Sequence, residues 1–247
     1  QYMSQPYIII PAQGSDQTDE WLRLGVEAQI NGQYAIAQQR YQQALRLDPR
    51  HAIATQNLAI VFAQSNLLNE ALLTIERATI FDCDTHGVIY MNWALMALES
   101  ERIDEALRVA QKAVELAANP ATKTALAMVL AASGKPEEAI PLYNSILDED
   151  PKHIVAGLNS CFVQTLTSAT PKEFLYQRKR WWDANHYTGP IALHYNNCDP
   201  ERPLRVGYVG GDFKQHSAAF IFAAILLHHS SDIESYLYSS LPVNPDA

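Results

Sequence analysis

Two groups of side chains in this 247-residue chain could do chemistry, and they lie far apart in the sequence. The first is a set of asparagines, Asn57, Asn92 and Asn159, each standing just before an apolar site of an amphipathic segment. A carboxamide carries both a donor and an acceptor. A row of them on one face can therefore grip a peptide backbone while asking little of its sequence, at ~0.5–1.5 kcal/mol net per bond. Arg23 and Ala125 hold the equivalent position in two other segments and interrupt the row. The plain alternative is three solvated polar groups on exposed helix faces. The second group centres on His216, which follows Gly210-Gly211-Asp212. An imidazole, with an ordinary pKa of ~6.5, can exchange a proton or polarise a hydroxyl; the other reading is a helix-capping surface histidine. Gly207, Gly210 and Gly211 do not form G-x-G-x-x-G, so Gly210-Gly211 reads as a tight strand-to-helix turn. Asp212 reads as an Asx turn holding that loop rather than as a nucleophile or metal ligand.

The elements that must position these groups show first as self-similarity. Ala37, Ala71, Ala106 and Ala139 recur at spacings of 34, 35 and 33 residues, the ~34-residue period of tetratricopeptide repeats. Around them sit Trp21, Leu24, Gly25, Tyr41 and Ala44 in the first unit, and Leu58, Ala59, Phe62, Ile75 and Ala78 in the second. The third has Trp93, Ala94, Ala97, Ala110 and Ala113, and the fourth Leu126, Ala127, Leu130, Tyr143 and Ile146. Each unit predicts two amphipathic helices. Small residues on the first helix (Gly25, Ala59, Ala94, Ala127) are expected to meet the alanines of the second where the helices cross. Asp48-Pro49 and Asp150-Pro151 stop second helices, because a residue before proline avoids the α region. Helices this short are marginal alone and depend on stacking. The first helices are expected to line the concave face, which would align the asparagines.

The expected organisation is a lead-in over 1–17, four repeats over 18–153, a partial repeat and capping helices over 154–188, and a linker over 189–203. The partial repeat begins near His153. The charged, aromatic helix from Lys172 to His186 caps the array, with Trp181 and Trp182 as packing residues. After Pro203 the period turns strand-like. Leu204–Val209, Gly210-Gly211, an apolar helix over Ala218–His229 and a strand over Ser235–Ser240 read as the first βαβ unit of a parallel sheet. One such unit cannot cover both faces of a sheet, so 204–247 is expected to be the truncated start of a larger α/β domain. The predicted fold class is thus mainly α: a tetratricopeptide superhelix followed by a βαβ unit of a Rossmann-like domain.

The stretch Leu204-Arg205-Val206-Gly207-Tyr208-Val209-Gly210-Gly211-Asp212-Phe213-Lys214-Gln215-His216-Ser217 resembles the opening of the catalytic region of protein O-GlcNAc transferases (glycosyltransferase family 41, bacterial type). It has Gly210-Gly211 where serine or proline is common in that family. Tetratricopeptide repeats directly upstream are the other half of the resemblance. It implies a GT-B fold transferring N-acetylglucosamine from UDP-GlcNAc to Ser or Thr of proteins, without a metal, by inverting displacement. It implies that His216 lies in the active-site cleft, as base or as positioner, with Gly210, Gly211 and Asp212 in the active-site loop. It also implies an asparagine ladder for acceptor peptide at the position of Asn57, Asn92 and Asn159. The donor site would be built by residues other than these. A non-enzymatic adaptor binding partner peptides is the alternative; a related transferase with another sugar or aspartate-linked acceptors shares the fold.

Composition bounds the partners. A formal net charge of −9 argues against the clustered basic surface that nucleic acid requires. Cys83, Cys161 and Cys198 are widely spaced and form neither a disulfide framework nor a zinc motif, which fits reduced thiols and a cytoplasmic location. The N-terminal stretch, with Ile8-Ile9-Ile10, lacks a basic region or long apolar run, so neither a signal peptide nor a membrane anchor is expected. Adjacent His228-His229 cannot face one ligand from a helix and read as its polar end. The expected partners are acceptor proteins and a UDP-sugar donor, with no cofactor; a homo-oligomer is compatible with this set.

Overall fold

Helical hairpins form wherever the alanine-centred pattern repeats. The computed structural model describes residues 7–12, 16–81, 86–167, 169–186, 188–189, 199, 201–210 and 217–239. Four hairpins follow in order: α1 (Gln17–Ile30) with α2 (Tyr34–Leu47), α3 (Ala52–Gln64) with α4 (Leu68–Ala78), α5 (His86–Glu99) with α6 (Ile103–Leu116), and α7 (Pro120–Ala132) with α8 (Pro136–Glu149). Then come α9 (Ile154–Val163), a 3-10 turn (Gln164–Leu166) and α10 (Pro171–Asn185). Two units separate along the chain, Gln1–Tyr187 and Thr188–Ala247.

The turn inside each hairpin is built identically. Gly32, Asn66, Glu101 and Gly134 have φ of 72°, 62°, 58° and 77°, and each closes a Schellman motif. The following amides, on Gln33, Leu67, Arg102 and Lys135, donate to Ala28, Phe62, Ala97 and Leu130 carbonyls at 2.8–2.9 Å. Glycine fills two of these left-handed positions without steric cost, whereas Glu101 carries the Cβ penalty. Between hairpins, Asp48 and Asp150 end α2 and α8 in extended conformation. Their carboxylates accept from the Arg50 and Lys152 amides at 3.0 Å. His51 and His153 then cap α3 and α9, their Nδ1 atoms accepting from Ala54 and Ala156 amides. Asn119 and Thr170 start α7 and α10 with capping boxes.

Ala37, Ala71, Ala106 and Ala139 are all fully buried, as the period requires. The partner of Gly25 differs from expectation. A Cβ on Gly25 would stand 2.4 Å from Cε1 of Tyr41, one turn beyond Ala37. The glycine is needed because the buried Tyr41 ring occupies the space its side chain would take. Gly157 plays the same part for Trp181, whose indole would meet its Cβ at 2.0 Å. Trp181 therefore packs α10 onto α9, while Trp182 is exposed and stacks on His186 instead.

Odd-numbered helices pack on one another, α1 on α3, α3 on α5, α5 on α7 and α7 on α9, and so form the inner wall of the array. The apolar core runs continuously through the second and third hairpins, from Ala52 to Val129, with flanking clusters at either end.

The second unit is a βαβ unit. Strands β1 (Leu204–Gly210) and β2 (Ile233–Ser239) pair in parallel, Leu204 opposite Ile233 and Gly210 opposite Ser239. The intervening α11 (Ser217–Leu227) stops two residues short of the expected His229. Val209, Leu237 and Phe220 are exposed within this unit, leaving apolar surface on both strands and helix.

Gly25→Ala would force a methyl into the Tyr41 ring. The expected loss is ~1–3 kcal/mol by overpacking, read as a lower urea midpoint with unchanged slope; an unchanged midpoint would show that the ring moves aside freely.

Candidate functional site

Helices α3 and α5 bring Asn57 and Asn92 to the inner wall, and neither is a solvated surface group: both are fully buried. What covers them is the chain's own segment 7–12. Asn57 Oδ1 accepts from the Ile10 amide at 3.2 Å, and its Nδ2 donates to the Ile10 carbonyl at 2.7 Å. Asn92 repeats the arrangement two residues earlier. Its Oδ1 accepts from the Ile8 amide at 3.0 Å and its Nδ2 donates to the Ile8 carbonyl at 2.9 Å.

Each carboxamide thus does what an opposing residue does in an antiparallel ladder, exchanging both N–H···O bonds with one residue. Alternate residues of an extended chain present their amide and carbonyl to the same edge, ~6.4–6.8 Å apart. Successive hairpins supply one asparagine per such step. The segment runs from the third hairpin to the second, opposite to the order of the repeats.

Gln56 ties the two grips together. Its Nε2 donates to the Ile8 carbonyl and to Asn57 Oδ1, both at 3.2 Å. The Ile8 carbonyl therefore takes two side-chain donors, and the Asn57 carboxamide is fixed in one orientation.

Local sequence explains why 7–12 arrives extended. Three β-branched isoleucines disfavour helix and suit a pleated chain. Pro11 restricts Ile10 to extended conformation and has no amide to leave unpaired. Ile10 is buried, and Tyr7 and Ile9 pack against the main core cluster, with Ala12 against the first. The Tyr7 hydroxyl donates to Glu99. Burial, then the Glu99 carboxylate, raises the Tyr7 pKa well above its ordinary 10.0.

Asn159 is separate from this arrangement. It is half-buried on α9 beside the Tyr143 phenol, whose Oη has no geometrically acceptable hydrogen-bond partner. Ala125, at the intervening position, is buried, and Arg23 is exposed. Burial also raises the phenols of Tyr41 and Tyr143, with Asn57 and Asn159 opposing it. Tyr41 donates at 2.6 Å to Gln29 Oε1, and Gln29 Nε2 donates at 2.8 Å to Gln64.

Of the second group, Gly210 ends β1 opposite Ser239. Gly211, Asp212 and His216 lie outside the described residues. His228 and His229 diverge: His228 Nδ1 lies 2.7 Å from the Ala224 carbonyl, and His229 Nε2 lies 2.6 Å from the Tyr208 hydroxyl. Among the described residues no cluster of three His, Cys, Asp or Glu side chains could hold a metal. No helix among them is long and apolar enough to cross a membrane.

The sequence pattern did not disclose the parts played by Gln56 and by Tyr7–Ala12. The available signal was Ile8-Ile9-Ile10 closed by Pro11, a strand-like run with no partner strand nearby.

Two tetratricopeptide-repeat family profiles match this chain, at residues 22–84 and 97–159. The chain carries tetratricopeptide repeats. Over 103 residues it is 31% identical to a Solanum lycopersicum protein described as the probable UDP-N-acetylglucosamine–peptide N-acetylglucosaminyltransferase SPINDLY. That match covers 40% of this chain and 11% of the other, so the chain spans a small part of that relative's length. Among solved structures, YrrB, titled a tetratricopeptide protein with an unusual peptide-binding site, matches with a TM-score of 0.53 and 21% identity. The match covers 66% of this chain and 84% of YrrB. An O-GlcNAc transferase from Thermobaculum terrenum matches with a TM-score of 0.56 and 18% identity, over 94% of this chain and 39% of its own. At such identities these likenesses speak to fold.

Tyr41 and Tyr143, buried in the repeats, and the partly buried Tyr7 give the first unit an alkaline limit. A phenol whose pKa is raised on folding keeps its proton in the folded state where the unfolded chain has lost it. Its contribution is complete below the unfolded value of ~10 and is lost as pH climbs toward the folded value. Stability measured by urea unfolding should therefore fall steeply above pH ~10, and Tyr7→Phe should make that fall shallower. An identical slope in the variant would mean that Tyr7 is not held as described.

Proposed function

We propose that the inner wall of the repeat array is a polypeptide-binding groove, and that it serves a protein O-GlcNAc transferase by holding the acceptor. The observation that carries this reading is the paired grip of Asn57 and Asn92 on alternate residues of an extended backbone. Bonds to amide and carbonyl alone ignore side-chain identity, which suits an enzyme that must accept many polypeptides. The similarity to SPINDLY supports the transferase part. So does the reach of the likeness to the Thermobaculum enzyme: 94% coverage has to include residues of the second unit, since the first ends at Tyr187 of 247. A parallel βαβ unit after the repeats is the expected opening of a GT-B domain.

In this reading UDP-GlcNAc is the donor, Ser or Thr hydroxyls of bound polypeptides are the acceptors, and the displacement inverts the anomeric carbon without a metal. Gly210 ends β1, and Gly211, Asp212 and His216 follow it in the sequence. Open α/β sheets bind ligands beyond the carboxyl ends of their strands, and these residues would serve the active site. Asn159 would extend the groove toward the C-terminal end of the array.

A non-enzymatic adaptor is the second reading. The completeness of the grip within the first unit favours it, as does the fold shared with YrrB, itself titled for a peptide-binding site.

The discriminating experiment uses the full product of the gene with UDP-GlcNAc and unstructured acceptor peptides. The expected result is a HexNAc mass increment. Combined Asn57→Ala and Asn92→Ala should lower kcat/KM for acceptor about tenfold, the equivalent of ~1.4 kcal/mol, without changing donor affinity. Absence of both the increment and donor binding would leave the adaptor; acceptor capture indifferent to the asparagines would remove the groove.

A further inference from the structure

The groove is already occupied by the chain's own lead-in. Five side-chain hydrogen bonds reach its backbone across 47, 48 and 84 residues of sequence, two from Asn57, two from Asn92 and one from Gln56. The sixth tie is the Tyr7–Glu99 contact. Ile10 is 6% exposed, so the segment is seated in the wall and does not merely lie across it.

We infer that Tyr7–Ala12 is an intramolecular occupant of the polypeptide groove, and that an incoming polypeptide binds by displacing it in the same register and polarity. This rests on the reading of the inner wall as a polypeptide site. The same atoms cannot serve two chains. Asn57 and Asn92 each bond both the amide and the carbonyl of one residue of the segment and are fully buried beneath it, so no second backbone can reach them while it stays.

Seating also states what a displacing partner must look like. It is an extended polypeptide whose amides are free at two positions two residues apart. A branched aliphatic group is accommodated where Ile10 is buried, and proline one residue later, as Pro11 is here. It runs from the third hairpin toward the second. Helical ligands are excluded, because their amides are already paired within the helix.

Tethering makes the competition strong. Ala12 is four residues from Asp16, the N-cap of α1. Short tethers hold an attached ligand at an effective concentration of the order of mM, so a free peptide of micromolar intrinsic affinity is held off at least tenfold.

The test uses a fluorescent peptide with the sequence of residues 5–14 and reads its binding by anisotropy. Ile8→Pro with Ile10→Pro removes both amides that the asparagines accept from, and frees the groove. A chain beginning at residue 13 does the same if the prolines disturb folding. The released chain should bind the peptide at least tenfold more tightly than the wild type. Adding Asn57→Ala and Asn92→Ala to it should weaken binding at least tenfold. Equal affinity of wild-type and released chains would overturn the inference while leaving the groove. A released chain of unchanged helicity that fails to bind, or that binds equally well without its asparagines, would overturn both.

Discussion

Close crossing of the two helices in each hairpin is the constraint on which the rest depends. Fully buried alanines at Ala37, Ala71, Ala106 and Ala139 set that crossing, and the Schellman turns at Gly32, Asn66, Glu101 and Gly134 repeat with the same spacing. Two periodic features in step make every hairpin nearly the same object. Stacked copies then present equivalent positions at a regular interval along the inner wall. Asn57 and Asn92 occupy one such position in adjacent hairpins, so their separation follows from the stacking geometry.

That geometry meets a second period, the two-residue repeat of an extended backbone. One asparagine per hairpin against every second residue of a peptide lets the two lattices match. Buried carboxamides need partners, since an unpaired buried polar group costs ~1–3 kcal/mol. Here the chain's own backbone supplies them. Asn57 and Asn92 are therefore satisfied in the resting protein, while the buried Gln56 Oε1 has no partner among the described residues. A ligand replaces existing hydrogen bonds rather than adding new ones, so occupancy is governed by competition and not by raw contact strength. In the proposed transferase, acceptor binding and release of the lead-in would be one event.

Much of the array could be read from the residues because its determinants are local. The alanine period and the Asp-Pro stops each act within a turn or two of chain, and the structure places hairpins accordingly. Gly25 shows where local reading stops. A period reports that two helices approach closely there without reporting that the Tyr41 ring is what stands nearest. Trp181 and Trp182 make the same point: adjacent and alike in type, one packs on Gly157 and the other is exposed.

The sequence by itself determined the repeats, their length and the change to a strand–helix–strand unit, because propensity and periodicity are properties of neighbouring residues. It also placed Asn57 and Asn92 at equivalent positions. Only the tertiary structure decided that these asparagines are buried, that Gln56 joins them, and that Tyr7–Ala12 fills the wall they line. Those outcomes depend on contacts spanning up to 92 residues, which no local pattern encodes, and on the matching of a superhelical spacing to a backbone repeat that exists only once the hairpins have stacked.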